Sequence, residues 1–474
     1  MLVRRTHPLF STPNQKTTLP LPHPCYNLRM RKITILFILF ALVACAKPPE
    51  ESPDWEDYDP FAAPDPQAAI PLSSLLPPTH AAGMPIASPT PDLARFAPAE
   101  EQGSGFKIIP DSELVYGPAS LLLDMDVYLK NKDSYLKSYT QEVDGEILSG
   151  TEIITRVAQD YSVNPRLLLA LLEYQSGWVT QETVSETNYP MRYYVEWYAG
   201  LYRQLVWTAN ELNRGYYLWR ANAVTEWTLV DGDWVGINPS INAGTAALQN
   251  YFAKLYTREV WDVDVSEDGF YATYEALFGY PFDYAIEPLV PPGLTQPPLT
   301  LPFARGETWS FTGGPHGGWD EGSGWAALDF APPGEPQGCV PADAWALASA
   351  SGVIARAENG AVILDLDGDG YEQTGWVLLY MHMASDGRVQ SGSKVEVGDR
   401  IGHPSCEGGV SNASHLHFAR RYNGEWIPAD GPVPFNLDGW VSSGTGTAYD
   451  GFLTKGSRRV EAWDGQNPVN AITR

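Results

Sequence analysis

The chain has 474 residues, enough for two or three domains, and its hydrophobic fraction of 44% is ordinary for a globular protein. Its formal net charge of -26 argues against a nucleic-acid-binding protein, because phosphate recognition needs clustered Lys and Arg. The four cysteines fall into an early and a late pair, and neither pair has the CxxC spacing of a structural zinc site.

The first segment has the features of an export signal. A basic cluster precedes the apolar run Ile33 to Ala44, which at 12 residues is too short to span a bilayer comfortably. The run ends in the letters LVAC, which resemble the cleavage box of bacterial lipoproteins. This resemblance implies that Cys45 becomes the first residue, carries a lipid and holds the protein to the cell membrane outside the cytoplasm. The alternative is an ordinary secretory signal with an incidental Cys45 and a secreted product.

Translation is expected to start at Met30, directly before the basic cluster, so that residues 1–29 are not part of the protein and the leader ends at residue 45. Residues 46–109 are rich in Pro, Ala and Ser, with acidic residues interspersed. Because proline lacks the N–H donor of helices and strands, this stretch is predicted to be a disordered, extended tether.

Residues 110–287 are predicted to form a mostly α-helical middle domain. Apolar residues from Ile153 to Tyr161 fall on one helical face, and Asn164-Pro165 supplies an N-cap and a first-turn proline for the next helix. Further helical stretches are expected at residues 193–212 and 243–255. The dense aromatic residues indicate either a large core or a groove that contacts carbohydrate.

A second proline-rich stretch, residues 288–302, is a natural linker, and the pattern changes after it. Residues 303–474 show short apolar segments between glycine turns, which predicts a C-terminal all-β domain with an antiparallel sheet. The strand candidates are residues 347–357, 361–365, 376–382 and 394–401.

Five of the six histidines beyond Cys45 fall in this last domain. His415 and His417 are two residues apart, so on a strand both imidazoles face one site. His316 lies among glycines that permit close backbone approach, and Asp329 lies in an apolar setting where an unpaired carboxylate would be costly. A cation among these side chains would explain both features. Zinc in a hydrolase takes three such ligands and leaves a fourth position for water.

Three segments resemble the lysostaphin and LasA type of zinc metallopeptidase, in particular its LasA or β-lytic branch. They are GGPHGGWDEGSGWAALDF at residues 313–330, YMHM at 380–383 and SHLHFARRYNGEW at 414–426. The resemblance implies that zinc is held by His316, Asp329 and His417, while His382 and His415 act on the attacking water or the oxyanion. It also implies an endopeptidase that cleaves peptide bonds of bacterial peptidoglycan. Structural roles for all five residues are the competing interpretation.

Three other features of this domain have weaker interpretations. Cys339 and Cys406 are predicted to form one disulfide in an exported protein. The Asp365–Asp369 segment resembles half of a calcium loop, but it lacks the spacing of an EF-hand, and an acidic hairpin is the preferred interpretation. His403 matches no required position and is expected to be a turn or surface residue.

The middle domain carries a second, looser resemblance. PRLLLALLEYQSGW at residues 165–178 resembles the start of a lysozyme-like transglycosylase domain, in which Glu173 would be the general acid. The preferred interpretation is that Glu173 has a structural role at the end of a helix, and that the domain binds glycan without cleaving it. The rival functions are therefore a glycan-cleaving wall hydrolase that uses Glu173, and a non-catalytic scaffold that binds the wall or activates an amidase.

Overall fold

A computed structural model describes residues 95–334 and 338–474. The predicted leader, Cys45 and the tether as far as residue 94 lie outside the described residues. Among the described helices, none combines the length and the apolar character that crossing a membrane requires. We call residues 95–287 the helical domain and residues 303–474 the sheet domain.

The helical domain consists of α-helices with two small β-hairpins and short 3-10 turns. Its helices are α1 (Met125–Leu129), α2 (Tyr135–Ser138), α3 (Gly150–Tyr161), α4 (Pro165–Ser176), α5 (Leu201–Arg220), α6 (Ala243–Ala253), α7 (Arg258–Asp264) and α8 (Phe270–Phe278). Its hairpins pair β1 (Thr140–Val143) with β2 (Glu146–Ser149), and β3 (Glu226–Thr228) with β4 (Trp234–Gly236). The 3-10 turns are Ala99–Glu101, Asp111–Glu113, Pro118–Leu122, Glu196–Tyr198 and Pro281–Tyr284.

Local sequence explains where the central helices begin and end. Ser149 and Glu152 form a capping box at the start of α3, and the Asn164 side chain accepts from the Arg166 N–H at the start of α4. Gly177 ends α4 in the left-handed conformation that glycine adopts without strain. The apolar faces of α3 and α4 are buried in the core, as their periodicity predicts.

The folded region begins earlier than residue 110. Phe96, Ile108 and Ile109 are buried, and the Gly103 N–H donates to the Gly236 carbonyl oxygen. The end of the predicted tether therefore packs against the helical domain, because its few large apolar side chains are covered there. The prediction that the tether extends to residue 109 was wrong for residues 95–109.

The sheet domain is built around a nine-stranded antiparallel sheet, which confirms the predicted fold class. The sheet has the order β11-β8-β9-β10-β13-β6-β5-β19, and β14 pairs with β13. A four-stranded sheet, β15 to β18, and the pair β7 and β12 complete the domain. The strands are β5 (Thr308–His316), β6 (Ala327–Ala331), β7 (Ala346–Leu347), β8 (Gly352–Glu358), β9 (Ala361–Asp365), β10 (Trp376–Met381), β11 (Lys394–Val395), β12 (Arg400–Gly402), β13 (Leu416–Tyr422), β14 (Glu425–Trp426), β15 (Asn436–Leu437), β16 (Trp440–Gly444), β17 (Gly451–Lys455), β18 (Arg458–Glu461) and β19 (Ala471–Thr473).

The two domains share a buried, charged interface. Arg356 on β8 bonds Asp160 on α3 at 2.9 Å and Glu372 at 2.9 Å, and Arg421 on β13 bonds Glu372. All four side chains are buried. Charges in such a place persist only when they are paired, so the two domains contribute partners to one network.

The loop between β5 and β6 also contacts the helical domain. The Tyr161 hydroxyl donates to Asp320 at 3.1 Å, and the Gly322 N–H donates to the Asn210 side-chain oxygen at 2.7 Å. The linker is packed as well, since Asn423 donates to the Leu289 carbonyl oxygen at 2.8 Å. The helical domain thus supports the segment that follows His316, and the linker packs against the turn between β13 and β14.

Candidate metal centre

Strand register brings two of the predicted ligands together. In the antiparallel pair β13 and β6, His417 lies directly opposite Asp329, so both side chains are on the same face of the sheet. On the other side of Asp329, β5 places Gly313 opposite. A Cβ atom at residue 313 would lie 2.4 Å from Asp329 Oδ2, so glycine is required for the carboxylate to occupy this position.

The third predicted ligand, His316, ends β5 after an irregularity in the strand. Its Nε2 atom lies 3.0 Å from His417 Nδ1 and 3.3 Å from Asp329 Oδ1. His417 Nδ1 is also 3.3 Å from Asp329 Oδ1. All three side chains are buried. The β5–β6–β13 segment of the sheet therefore assembles a triangle of nitrogen and oxygen atoms.

The hydrogen bonds of the two imidazoles indicate which nitrogen carries the proton. His316 Nδ1 lies 2.8 Å from the Gly314 carbonyl oxygen, and His417 Nε2 lies 3.0 Å from the Gly318 carbonyl oxygen. A carbonyl oxygen accepts only, so these nitrogens donate. The opposite nitrogens then carry lone pairs, and these point at each other and at the Asp329 carboxylate.

Three converging lone pairs repel each other unless a cation lies between them. Asp329 Oδ1 is buried and has no hydrogen-bond partner within the described part of the chain. A tetrahedral zinc ion with bonds of about 2.0–2.2 Å separates its ligand atoms by about 3.3–3.6 Å, close to the spacings here. The residues fit the metal that the sequence predicts.

His382 and His415 border the same site. His415 directly precedes β13, and its Nε2 lies 3.6 Å from Asp329 Oδ1. His382 follows β10, and its ring centroid lies 4.6 Å from that of His415. His382 Nδ1 lies 3.1 Å from the Glu407 carbonyl oxygen, and His415 Nδ1 lies 2.9 Å from the Ala413 carbonyl oxygen. Burial lowers the pKa of His382 well below its usual range, so its ring is neutral at neutral pH.

Tyr449 is a site residue that the sequence did not single out. Its ring stacks on His316, with ring centroids 4.2 Å apart, and 57% of its surface is exposed. Its backbone N–H donates to the Pro315 carbonyl oxygen, and its carbonyl oxygen accepts from the Gly314 N–H. Partial burial and the nearby charge of Asp329 raise its pKa to about 12, so the phenol keeps its proton. A signal for this residue is the glycine-rich stretch around it, similar to the one around His316.

The remaining predicted residues lie in other surroundings. His403 is half-buried beside Trp345 and bonds the Ala344 carbonyl oxygen, as a structural residue does. Asp365, Asp367 and Asp369 converge in the turn after β9, where Asp365 accepts from the Asp367 and Gly370 N–H groups. Burial raises the pKa of Asp365 to about 7. These bonds shape an acidic hairpin, while calcium binding stays a prediction.

Glu173, the alternative catalytic residue, supports the turn after α4. Its carboxylate accepts from the Val179 N–H at 2.9 Å, from the Thr180 N–H at 3.0 Å and from the Thr180 hydroxyl. A general acid must present its carboxyl group to substrate. These contacts therefore favour the structural role for Glu173.

Comparison with protein families assigns both domains. Residues 107–290 match the model described as "LasA, N-terminal domain", and residues 339–428 match "Peptidase family M23". The second match contains His382, His415 and His417. Residues 339–428 of the sheet domain are thus similar to peptidase family M23. The first match covers most of the helical domain.

Curated relatives are similar to the chain over a longer stretch. Protease LasA of Pseudomonas aeruginosa is 25% identical over 342 residues, which cover 66% of this chain and 76% of the relative. This alignment is longer than either family match, so the similarity includes both domains. The β-lytic metalloendopeptidase of Achromobacter lyticus is 29% identical over 179 residues, covering 36% of this chain and 43% of the relative. The predicted resemblance to the lysostaphin and LasA type is confirmed.

One solved M23 structure also matches. The M23 metalloprotease pseudoalterin, described as from the deep sea, is 23% identical and has a TM-score of 0.29. The match covers 38% of this chain and 99% of that one.

Proposed function

We propose that this protein is a zinc-dependent endopeptidase that hydrolyses peptide bonds in bacterial peptidoglycan. One observation carries the zinc assignment: the unprotonated nitrogens of His316 and His417 and the unpartnered oxygen of Asp329 converge within 3.3 Å. When bound, zinc would supply the charge that makes a water molecule more acidic and a peptide carbonyl more electrophilic.

His382 and His415 are suited to move the proton of the attacking water. Each ring donates through Nδ1 to a carbonyl oxygen, which leaves Nε2 unprotonated. An imidazole in this tautomer accepts a proton from water and can then return it to the leaving amine. His415 is the more accessible ring, with 19% of its side chain exposed, whereas His382 is 3% exposed.

Tyr449 is suited to stabilise negative charge on the substrate. Its protonated phenol ring stacks on His316 and is 57% exposed, so a peptide that enters the site can reach the hydroxyl. A hydrogen bond to the peptide carbonyl oxygen is stronger in the transition state than in the bound substrate, and such a bond lowers the barrier.

Peptidoglycan is proposed as the substrate because residues 313–330, 380–383 and 414–426 resemble the lysostaphin and LasA type of peptidase, and because the chain matches the LasA and M23 family models. The test uses the full chain, purified in its native state, with intact peptidoglycan. We expect about one zinc per chain. Cleavage should release new amino groups, and this release should stop when a chelator is added and resume when zinc is restored. New reducing sugar ends, without new amino groups, would reject the peptidase and favour glycan cleavage. Full activity in metal-free protein would reject zinc.

We also propose that Cys45 carries a lipid that anchors the protein outside the cytoplasm. The support is the LVAC box after the apolar run at residues 33–44. Cells that produce Cys45→Ala should release the protein from the membrane fraction. Equal membrane attachment of the two proteins would contradict the anchor.

A further inference from the structure

A disulfide links two segments that border the candidate metal centre. Cys339 and Cys406 are bonded, with their Cα atoms 5.1 Å apart. Cys339 is exposed and Cys406 is half-buried, so a soluble reductant can reach the bond. The residues on either side of these cysteines hold the two histidines that are not zinc ligands.

The segment around Cys406 holds His382 at two points. The Ser405 N–H and hydroxyl both donate to the His382 carbonyl oxygen, at 2.6 and 3.0 Å. On the other side of Cys406, the Glu407 carbonyl oxygen accepts from His382 Nδ1 at 3.1 Å. His382 itself has a φ of +65°, a conformation that residues other than glycine seldom adopt. The surrounding bonds must therefore keep this backbone in place.

The same two segments hold His415. The His415 N–H donates to the Ser405 carbonyl oxygen at 3.4 Å. The preceding residue, Ser414, donates through both its N–H and its hydroxyl to the Gly338 carbonyl oxygen, at 2.9 and 3.1 Å. Gly338 and Ser405 are the chain neighbours of Cys339 and Cys406. One covalent bond thus joins the supports of both rings.

We propose that the Cys339–Cys406 disulfide is a positioning bond for His382 and His415, so that peptide hydrolysis depends on its oxidised state. This inference rests on the proposed function of the two histidines. Reduction leaves the metal ligands in place, because His316, Asp329 and His417 are held by the register of β5, β6 and β13. It frees the 338–340 and 404–407 segments to move apart, and the two rings lose their shared orientation. Activity then falls while zinc stays bound.

Reduction is tested with a phosphine, because a dithiol would also bind zinc. The phosphine breaks the S–S bond and takes an oxygen atom from water, while the two water protons end on the sulfur atoms of Cys339 and Cys406. We expect kcat to fall at least tenfold, KM to change less than twofold and zinc content to stay at the oxidised level. Removal of the phosphine, followed by reoxidation with an added small-molecule disulfide that is itself reduced to two thiols, should restore kcat.

Three full-length variants separate positioning from simple stabilisation. The double variant Cys339→Ser/Cys406→Ser should have the kcat of the reduced protein and no further response to phosphine. Ser405→Ala keeps the disulfide but loses one bond to His382, and should show a smaller fall in kcat. Val460→Ala shortens a buried side chain on β18, away from the site, and should lower Tm without changing kcat at 25 °C.

Hydrogen exchange gives a readout that does not depend on activity. The amides of Ser405, Ser414 and His415 should exchange faster in the reduced chain than in the oxidised chain, while those of β13 stay protected. Unchanged kcat and unchanged exchange on reduction would overturn the proposal, as would loss of zinc in the double variant. If the oxidised, zinc-loaded protein cleaves no peptide at all, the proposed function fails. Faster exchange on reduction would then still show that the disulfide holds the segments around His382 and His415.

Discussion

Each of the four histidines at the metal centre is oriented by a backbone carbonyl oxygen. Gly314 and Gly318 accept from the ligands His316 and His417, and Glu407 and Ala413 accept from His382 and His415. The acceptor fixes which nitrogen faces the site: Nε2 in three rings and Nδ1 in His417. Backbone geometry therefore determines the chemistry of the side chains.

The division between ligands and catalytic histidines predicts two kinds of variant. His417→Ala leaves two ligands and should lose both zinc and activity. His382→Ala and His415→Ala should keep zinc and fold normally, yet lower kcat by roughly a hundredfold, because an acid/base partner is lost. Zinc content and peptide cleavage are measured together on each protein. Full zinc in His417→Ala, or normal turnover in both other variants, would reject the division.

Tyr449 predicts a variant of a third kind. Tyr449→Phe keeps the ring on His316 but removes the hydroxyl, so zinc binding should be unchanged and kcat should fall by about a hundredfold. Tyr422→Phe, at the opposite end of β13 from His417, is the matched control and should retain activity. Equal kcat in the two variants would mean that the Tyr449 hydroxyl has no part in the reaction.

The sequence predicted five residues of the site because their types and spacing are distinctive together. The structure brings His316, Asp329, His382, His415 and His417 to one place. The sequence analysis missed Tyr449, because a tyrosine among small residues has no distinctive type and its role depends on a contact between the β16–β17 turn and the end of β5. The supports at Ser405 and Glu407 were missed for a similar reason, because they act largely through backbone atoms that any residue has.

Among the elements, helix α7 ends in a carboxylate with an unusual environment. Asp264 is 5% exposed, and its Oδ1 accepts from the Tyr174 hydroxyl at 2.5 Å. Its Oδ2 has no hydrogen-bond partner in the residues described here. Burial raises the pKa of Asp264 to about 6. The unfolded chain has an Asp pKa of about 3.9, so the folded state holds the proton more tightly.

This difference predicts how stability changes with pH. The contribution of Asp264 to stability is fully present below about pH 4 and is lost as pH rises through 6. Asp264→Asn removes the buried charge, so it should raise the unfolding midpoint at pH 7 and leave it unchanged near pH 4. Asp262→Asn, exposed on the same helix, is the control and should show no such pH-dependent gain. Thermal unfolding at both pH values decides the result.

The sequence predicted elements best where local signals agree. Helices α3 and α4 have caps at their starts and a continuous apolar face, and strand β9 lies between two turns. Residues 347–357 were predicted as one strand, but the chain forms β7 and β8 instead. The two strands pair with different partners, and this tertiary choice is not visible in local periodicity. Similarly, residues 193–200 precede α5 rather than extend it.

At the scale of the whole molecule, the two domains depend on a shared network of buried charges. Arg356→Met leaves Asp160 and Glu372 without their main partner, so it should destabilise the protein by about 3–5 kcal/mol. Arg305→Met, at an exposed position of the sheet domain, should change stability by less than about 0.5 kcal/mol. Denaturant unfolding of the full chain measures both. Equal midpoints would show that the network adds nothing to stability.

The interface also determines what a shortened protein would be. A chain that begins at residue 303 would keep the three metal ligands, but Arg356 would lose Asp160, and Arg421 would lose the Ser162 hydroxyl. The backbone N–H of Trp426 would lose its hydrogen bond to the Tyr217 hydroxyl, and the Asp320 carboxylate would lose its hydrogen bond from the Tyr161 hydroxyl. Water would have to solvate charged side chains that are buried in the full chain. The free sheet domain would thus expose a charged surface next to its metal centre, with unpaired hydrogen-bonding groups that could associate with other molecules. In the full chain, the helical domain covers this surface.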